Sequence, residues 1–189
     1  IERQIAKEYM LQTGRHLFLT GKAGSGKTTL LKDIIDSTDK NVVVVAPTGV
    51  AAINAGGVTI HSLLTLPLTA FVPDDNYPES QSITSRTMLK RHMKYNKEKL
   101  NLLREMDTLV IDEVSMVRAD MMDAIDFVLR SVRRRADPFG GVQVIMIGDL
   151  YQLPPVIKDY AWDVLKHYYR TGYFFSSHVF QRCNALCVE

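Results

Sequence analysis

The 189-residue chain is predicted to fold as an α/β domain, with a mainly parallel sheet flanked by helices. Three observations predict it. Four short runs, 17–19, 42–45, 109–111 and 142–147, are apolar almost without interruption and rich in branched residues, as strands covered on both faces must be. Between them lie helical patterns: residues 28–36 carry Leu30, Leu31, Ile34 and Ile35, and residues 119–134 carry Met121, Ile125, Val128, Leu129 and Val132 at helical spacing. Strand-like and helix-like segments alternate along the chain, the order of a doubly wound domain.

Composition sets the outer bounds. With 46% hydrophobic and 23% charged residues, the chain matches ordinary soluble globular proteins, which excludes disordered and fibrous classes. A chain of this length buries about 70% of its extended surface, enough for a self-sufficient core. Lys and Arg number 23 against 21 Asp and Glu, a net charge of +2, so overall charge does not point to nucleic acid and any DNA contact has to come from local placement. Residues 41–73 lack Asp, Glu, Lys and Arg, yet Pro47, Gly49, Gly56, Gly57, Pro67 and Pro73 keep any apolar run well below the ~18 residues of a membrane span. Neither a membrane span nor a secretory signal is expected, and an intracellular protein is the expectation. Cys183 and Cys187 are too few for a disulfide framework and read as reduced thiols; half of a metal site is the alternative.

One stretch breaks the alternation. Residues 65–85 hold Pro67, Pro73 and Pro78 with an acidic cluster at Asp74, Asp75 and Glu79, and residues 86–104 carry seven Lys or Arg against one Glu. This reads as an inserted subdomain at 65–104, dividing the α/β domain into 1–64 and 105–189. Its basic part is helical in pattern and fits a solvated face or, alternatively, a DNA-contacting one.

The chemistry-bearing motifs sit where strands end. Residues 21–28, GKAGSGKT, follow the first strand and open the first long helix, and satisfy the pattern GxxxxGK[ST]. Background composition produces that pattern in well under about 1% of chains this long. Its glycines let successive N–H groups turn toward phosphate oxygens, and the helix start adds its positive end. Gly24, Ser25, Gly26, Lys27, Thr28 and Thr29 are therefore the expected nucleotide-binding set, with Lys27 on the β and γ phosphates and Thr28 on Mg²⁺. The run 109–111 ends in Asp112-Glu113. Downstream of a phosphate loop, Asp112 can hold Mg²⁺ through water and Glu113 can orient and deprotonate the attacking water, a division that favours hydrolysis over transfer to an acceptor. The run 142–147 leads into GDLYQLPP, residues 148–155, where Gln152 either senses the γ phosphate or is the surface residue of a Pro-stiffened turn.

Taken together, Gln4, GKAGSGKT, APTGVAAINAGGVTIHS, DEVSM and FGGVQVIMIGDLYQLPPV resemble, in order and spacing, the first motor domain of the Pif family of superfamily 1 (group B) DNA helicases. The resemblance runs from Gln4 to about Val156, apart from the insertion. It implies a RecA-like P-loop NTPase fold, ATP and Mg²⁺ as cofactors, and 5′-to-3′ movement on single-stranded DNA with unwinding of duplex and fork DNA, in repair, recombination or telomere and replication maintenance. It also implies a monomer whose second motor domain lies outside this chain. Gln4, 17 residues before Gly21, takes the place of the family's adenine-reading Gln; periodicity alone reads it as a polar helix residue. Thr48 and His61 fall in the segment that borders single-stranded DNA in that family, His61 being equally readable as a capping or core histidine. Residues 116–135 take the place of the family's signature helix, whose apolar stripe is assigned to core packing. Thr65 stands where the family commonly has Gly, and residues 66–104 show no clear family pattern, although they take the place of its strand-separating subdomain.

Two rivals belong to other classes. The length, the phosphate loop and Arg133-Arg134-Arg135 fit a nucleotide kinase with a basic lid, against which stand Glu113 and GDLYQLPP. A nucleotide-switched binding module without turnover is the other, opposed by the intact set Lys27, Thr28, Asp112 and Glu113.

Overall fold

The computed structural model describes residues 2–22, 24, 26–78 and 80–189, and of Glu2, Arg3 and Thr28 the backbone alone. In chain order its elements are α1 (Glu2–Gln12), β1 (Leu17–Leu19), α2 (Lys27–Asp36), β2 (Val42–Ala46), α3 (Gly49–Ala55), β3 (Val58–Thr59), α4 (Ile60–Leu64), β4 (Ala70–Val72), β5 (Ile83–Ser85), α5 (Arg86–His92), α6 (Lys97–Glu105), β6 (Thr108–Ile111), α7 (Ala119–Arg133), β7 (Gln143–Ile147), α8 (Asp159–Leu165), α9 (His178–Cys183) and β8 (Leu186–Val188), with single 3-10 turns at Val114–Met116, Pro138–Gly141 and Phe174–Ser176. Among the described residues no helix is long and apolar enough to cross a membrane.

Six strands form one sheet in the order β3-β2-β6-β7-β1-β8, and every neighbouring pair is parallel. Period-two alternation explains why these strands have no polar face. Leu17, Leu19, Val110, Ile145 and Ile147 join Ala6 and Met10 of α1 and Leu31 and Ile34 of α2 in one core. Their neighbours Phe18, Leu109, Ile111, Val144 and Met146 join Leu103 of α6 and Ile125, Val128 and Leu129 of α7 in the other. Helices cover both faces, so every residue of β1, β6 and β7 is buried on one side or the other.

The four predicted central strands and both predicted long helices are present, with ends shifted by one residue. The apolar run at the C-terminus forms β8, which pairs with β1. β3 carries no pattern because it is two residues long; it lies beside β2 because Gly57 brings the backbone close, where a Cβ would stand 2.2 Å from the Val44 carbonyl oxygen.

Residues 65–104 contain a separate parallel pair, β4 with β5, followed by α5 and α6. Their apolar side chains belong to cores shared with the rest of the chain. Phe71, Leu89 and Leu103 pack with α7 and the sheet; Ala70, Val72 and Ile83 pack with Ala119, Ala161, Leu165 and Tyr169. Thr65 has φ 53 and ψ 41, in the left-handed region, and ends α4. That conformation costs a β-branched residue about 1–2 kcal/mol and suits glycine.

α7 is buried all round over residues 119–126, three carboxylates included. Asp120 Oδ2 accepts the Phe71 N–H at 2.8 Å; Asp123 accepts the N–H groups of His178 at 3.1 Å and Val179 at 2.9 Å; Asp126 Oδ1 accepts the Phe139 N–H at 2.6 Å. Three residues apart, each anchors the backbone of a different segment. At the far end of α7 the Arg133 guanidinium donates to the carbonyls of Leu103, Arg104, Met106 and Gly140, while Arg135 pairs with Asp137 at 3.1 Å. These arginines sit at the end of the sheet where β6 begins, serving as caps and clamps.

His16 enters β1 with Nδ1 accepting the Val144 N–H at 3.1 Å and its ring edge-on to Phe139. Burial pushes its pKa below the ordinary 6.5, and burial with the Arg118 charge does the same to His61. As pH falls below 6.5 the unfolded chain binds protons that the folded chain refuses, so stability present above that pH declines. Urea unfolding from pH 7.5 to 5.5 should show this fall, and His16→Asn, which keeps an acceptor without the titration, should make it shallower. An unchanged slope would mean that His16 binds its proton in the folded state.

Candidate active site

The register of the central strands brings three loops to one edge. Leu19 is level with Ile147, and Ile111 with Met146; the ladder runs one step further through Gly148 N–H to the Leu19 carbonyl and Asp112 N–H to the Val45 carbonyl. The loops after β1, β6 and β7 therefore leave the sheet side by side at its carboxyl end, where open α/β sheets bind ligands.

After β1 comes the glycine-rich loop. Gly21, Gly24 and Gly26 have φ of 139, 78 and 84, values that only glycine adopts without strain. A Cβ on Gly24 would meet no atom within 4 Å, so that flank is open. Gly26 starts α2 in the left-handed region and offers it no side-chain cap, the kind of helix start that presents N–H groups to an anion. The Lys27 ammonium donates to the carbonyls of Gly21 and Lys22, spanning the loop. Thr29 is exposed. Ser25 and the side chain of Thr28 lie outside the described residues.

Asp112 and Glu113 follow β6. Asp112 Oδ1 accepts the Glu113 N–H at 3.0 Å. Glu113 itself has φ 52 and ψ 42, a left-handed conformation that is costly for a residue with a side chain and recurs at functional sites. From there the chain turns into the 3-10 helix Val114–Met116. Burial raises the Asp112 pKa, against the Glu113 N–H and Lys27. Glu113 is raised by burial and next by Asp112, with Lys27 opposing and Asp149 adding to the rise. Three carboxylates thus face one ammonium across the edge, a surplus of negative charge among hard oxygen donors that suits a divalent cation carrying phosphates.

After β7, Gly148 admits the 3-10 turn: a Cβ there would stand 3.0 Å from Val114 Cγ1 and 3.1 Å from the Ser115 nitrogen. Asp149 is buried and organises the loop beyond it. Its carboxylate accepts the Tyr151 N–H at 3.0 Å and the Gln152 side-chain amide at 3.1 Å. Gln152 is exposed, and its side-chain amide is held by Asp149. Sequence reasoning passed over Asp149 as a site residue; the available signal was its place directly after a buried strand next to the two motif-bearing ones.

The remaining predicted residues meet other partners than Lys27, Asp112 and Glu113, although Thr48 follows β2 at the same end of the sheet. Gln4 is exposed on α1 and donates to Glu8 Oε1 at 3.0 Å on its own helix. Thr48 caps α3, its hydroxyl accepting the Ala51 N–H at 3.2 Å. His61, half-buried, lines a small gap with Thr69, Thr84, Arg118 and Asp120. Arg118 grips Asp120 through Nε at 2.8 Å and Nη2 at 2.9 Å.

A parallel six-stranded sheet with helices on both faces and a phosphate-type loop at its carboxyl edge defines a RecA-like α/β domain of the P-loop class. A family model described as PIF1-like helicase matches residues 1–166, and the chain belongs to that family. It is 37% identical over 155 residues to the ATP-dependent DNA helicase PIF1 of Saccharomyces cerevisiae (strain YJM789), covering 79% of this chain and 16% of that protein. With the human protein of that name it shares 40% over 158 residues, 83% of this chain and 22% of the relative. A crystal structure of Bacteroides Pif1 helicase with ADP-AlF3 and single-stranded DNA superposes with TM-score 0.87 at 46% identity, over all of this chain and 41% of that one. The Candida albicans Pif1 structure gives 0.76 at 32% identity, over 99% and 39%. The chain therefore spans about a fifth of the curated relatives it matches.

Removing the Asp149 carboxylate leaves two donors without their acceptor. Asp149→Ala should speed amide exchange at Tyr151, whose N–H loses its acceptor, and spare the Gln152 backbone N–H, which donates to the Asp149 carbonyl, both read by hydrogen exchange. Unaltered protection at Tyr151 would show that the loop holds itself.

Proposed function

We propose that this chain is the first motor domain of an ATP-dependent DNA helicase, coupling ATP hydrolysis to 5′-to-3′ movement on single-stranded DNA and to unwinding of duplex or fork DNA. The observation that carries this reading is the placing of Lys27 and the pair Asp112 and Glu113 at one sheet edge. Lys27 swings from its loop carbonyls to the β and γ phosphates, and the N–H groups from Gly24 to Thr29 cradle them. Asp112 and Thr28 would hold Mg²⁺, a role that fits the carboxylate surplus at this edge. When bound, that ion neutralises charge on the phosphoryl oxygens. Glu113, its basicity raised by burial and by Asp112, accepts the proton of the attacking water. Gln152, aimed by Asp149, reads the γ phosphate, and Gln4 turns from Glu8 to the adenine edge.

The same reading gives Thr48 and His61 the single-stranded DNA border. The cap made by Thr48 and the half-burial of His61 limit each to one contact through its outward side. Residues 65–104 are proposed as the strand-separating insertion, and residues 1–64 and 105–189 as the motor body. Rapid turnover requires a second RecA-like domain, because Arg133 and Arg135 are engaged at the opposite end of the sheet and an arginine acting across a cleft is typically worth about 10³–10⁵ in rate. The protein works where cellular DNA is, as a monomer, in repair, recombination or replication and telomere maintenance.

Titration calorimetry with Mg·ATP and phosphate-release assays with oligothymidine test this reading. Glu113→Gln should keep nucleotide affinity and lose hydrolysis, Asp112→Asn should lose the Mg²⁺-dependent part of binding, and Lys27→Ala should lose at least about a hundredfold in turnover. Equal loss of Mg·ATP affinity in the two carboxylate variants would overturn the division of labour. Formation of a phosphorylated nucleoside in place of free phosphate would establish a kinase.

A further inference from the structure

We propose that the cleft between α5, α7 and α9 is a second nucleic-acid tract, taking the phosphates and one base of a single strand other than the strand assigned to Thr48 and His61. The inference rests on the helicase reading for the first tract and on the cleft's own chemistry for the second. The cleft has a volume of about 820 Å³ and is walled by Arg86 and Lys90 of α5, Arg130 of α7, Arg134 just beyond it, and Arg182 of α9. Arg135 also lines it but is paired with Asp137. The five other cations face three carboxylates, Asp75, Asp123 and Asp126. Their surplus of two equals the net charge of the entire chain.

The carboxylates compensate these cations poorly. Asp123 is occupied by the N–H groups of His178 and Val179. Asp126 spends Oδ1 on the Phe139 N–H and divides Oδ2 between Arg130 at 3.4 Å and Arg182 at 3.5 Å. Asp75 lies 3.7 Å from Arg86. Cations from three elements converging on one concave surface repel one another, and an anion seated among them removes that repulsion.

The surroundings favour nucleic acid over an acidic peptide. The partly exposed ring of Phe127 lies in the cleft, with the Lys90 ammonium 5.7 Å from its centroid and Phe71 at 6.1 Å. Guanidinium groups for phosphates beside an aromatic ring are how single strands are held without regard to sequence; Lys90 covers that ring, and a base takes its place there as the ammonium turns to a phosphate, an exchange an acidic peptide does not call for. Phe71 also lines the gap that holds His61, so β4 stands between the two proposed tracts, and two strands parted by the insertion would pass on either side of it.

Fluorescence anisotropy of this chain with labelled oligothymidine, from 50 to 300 mM salt, tests the proposal with two double variants. Lys90→Glu with Arg182→Glu should weaken binding at least about tenfold and flatten the salt dependence by roughly 1.4, two phosphate contacts at about 0.7 each. Thr48→Ala with His61→Ala should weaken binding without changing that slope. Unaltered affinity and slope in the first variant overturn the second tract and leave the first standing. Loss confined to the first variant overturns the Thr48 and His61 reading and supports the cleft, and a wild-type chain indifferent to oligothymidine overturns both. A polyglutamate peptide that outcompetes oligothymidine assigns the cleft to an acidic protein segment and refutes the nucleic-acid proposal. Circular dichroism checks folding, Lys90→Arg with Arg182→Lys should bind as wild type, and Lys90→Gln with Arg182→Gln reads the same slope should the reversals not fold. Photo-crosslinking with 5-iodouracil oligomers should label the peptide carrying Phe127; labelling restricted to residues 48–61 would count against the tract.

Discussion

The parallel pairing of β7 between β1 and β6 is the constraint on which the site depends. Because Leu19 is level with Ile147 and Ile111 with Met146, the loops bearing Lys27, the Asp112 and Glu113 pair, and Asp149 leave the sheet at one height. A slip of one residue along any of these strands would move its core side chains to the opposite face. Two hydrophobic cores, one per face, therefore fix the geometry of a polar edge. The charges at that edge are not at ease: burial raises Asp112 against the Glu113 N–H and Lys27, and burial, Asp112 and Asp149 raise Glu113 against Lys27. Packing elsewhere holds them together.

What was legible in the sequence follows from how far each interaction reaches. The four central strands showed because full burial removes polar alternation, and the glycine loop showed because phosphate binding requires glycines at set spacing before a helix. β4 and β5 did not, since three-residue strands carry too little period to separate from a Pro-rich loop. Nor did the packing of residues 65–104 into shared cores, because Phe71 and Leu103 look like any apolar residue until their partners are known. The three acids of α7 carry no signal of their own in the sequence. Their acceptor roles depend on N–H groups of Phe71, Val179 and Phe139, each distant in the chain and none marked by its own side chain.

Two residues in the left-handed region make a useful contrast. Thr65 ends α4 at φ 53, and its departure from the family's glycine is a local cost with no visible return: its hydroxyl has only a long contact with Lys99 at 3.5 Å. Glu113, at nearly the same angles, is where the conformation serves the site. A residue there in the ordinary helical or extended region would carry its carboxylate away from Asp112, and the N–H that now meets Asp112 Oδ1 would turn with it. Glycine would relax either backbone position, but at Glu113 it would remove the carboxylate proposed as the base.

α7 connects this edge to the rest of the chain. It begins just beyond the turn that Glu113 opens, where Arg118 grips Asp120 and also reaches the Thr69 carbonyl at 3.4 Å, and it ends among Arg130, Arg133 and Arg134. Asp120, Asp123 and Asp126 tie it to β4, α9 and the turn at Phe139, so it cannot slide without breaking several buried hydrogen bonds at once, each costly to leave unmade. Those same bonds consume the carboxylates that would otherwise neutralise the arginines beside them. One helix thereby fixes the carboxylate edge from behind and leaves the basic cleft undercompensated, and the near-neutral total of +2 conceals an acidic edge and a basic wall at separate places on the domain.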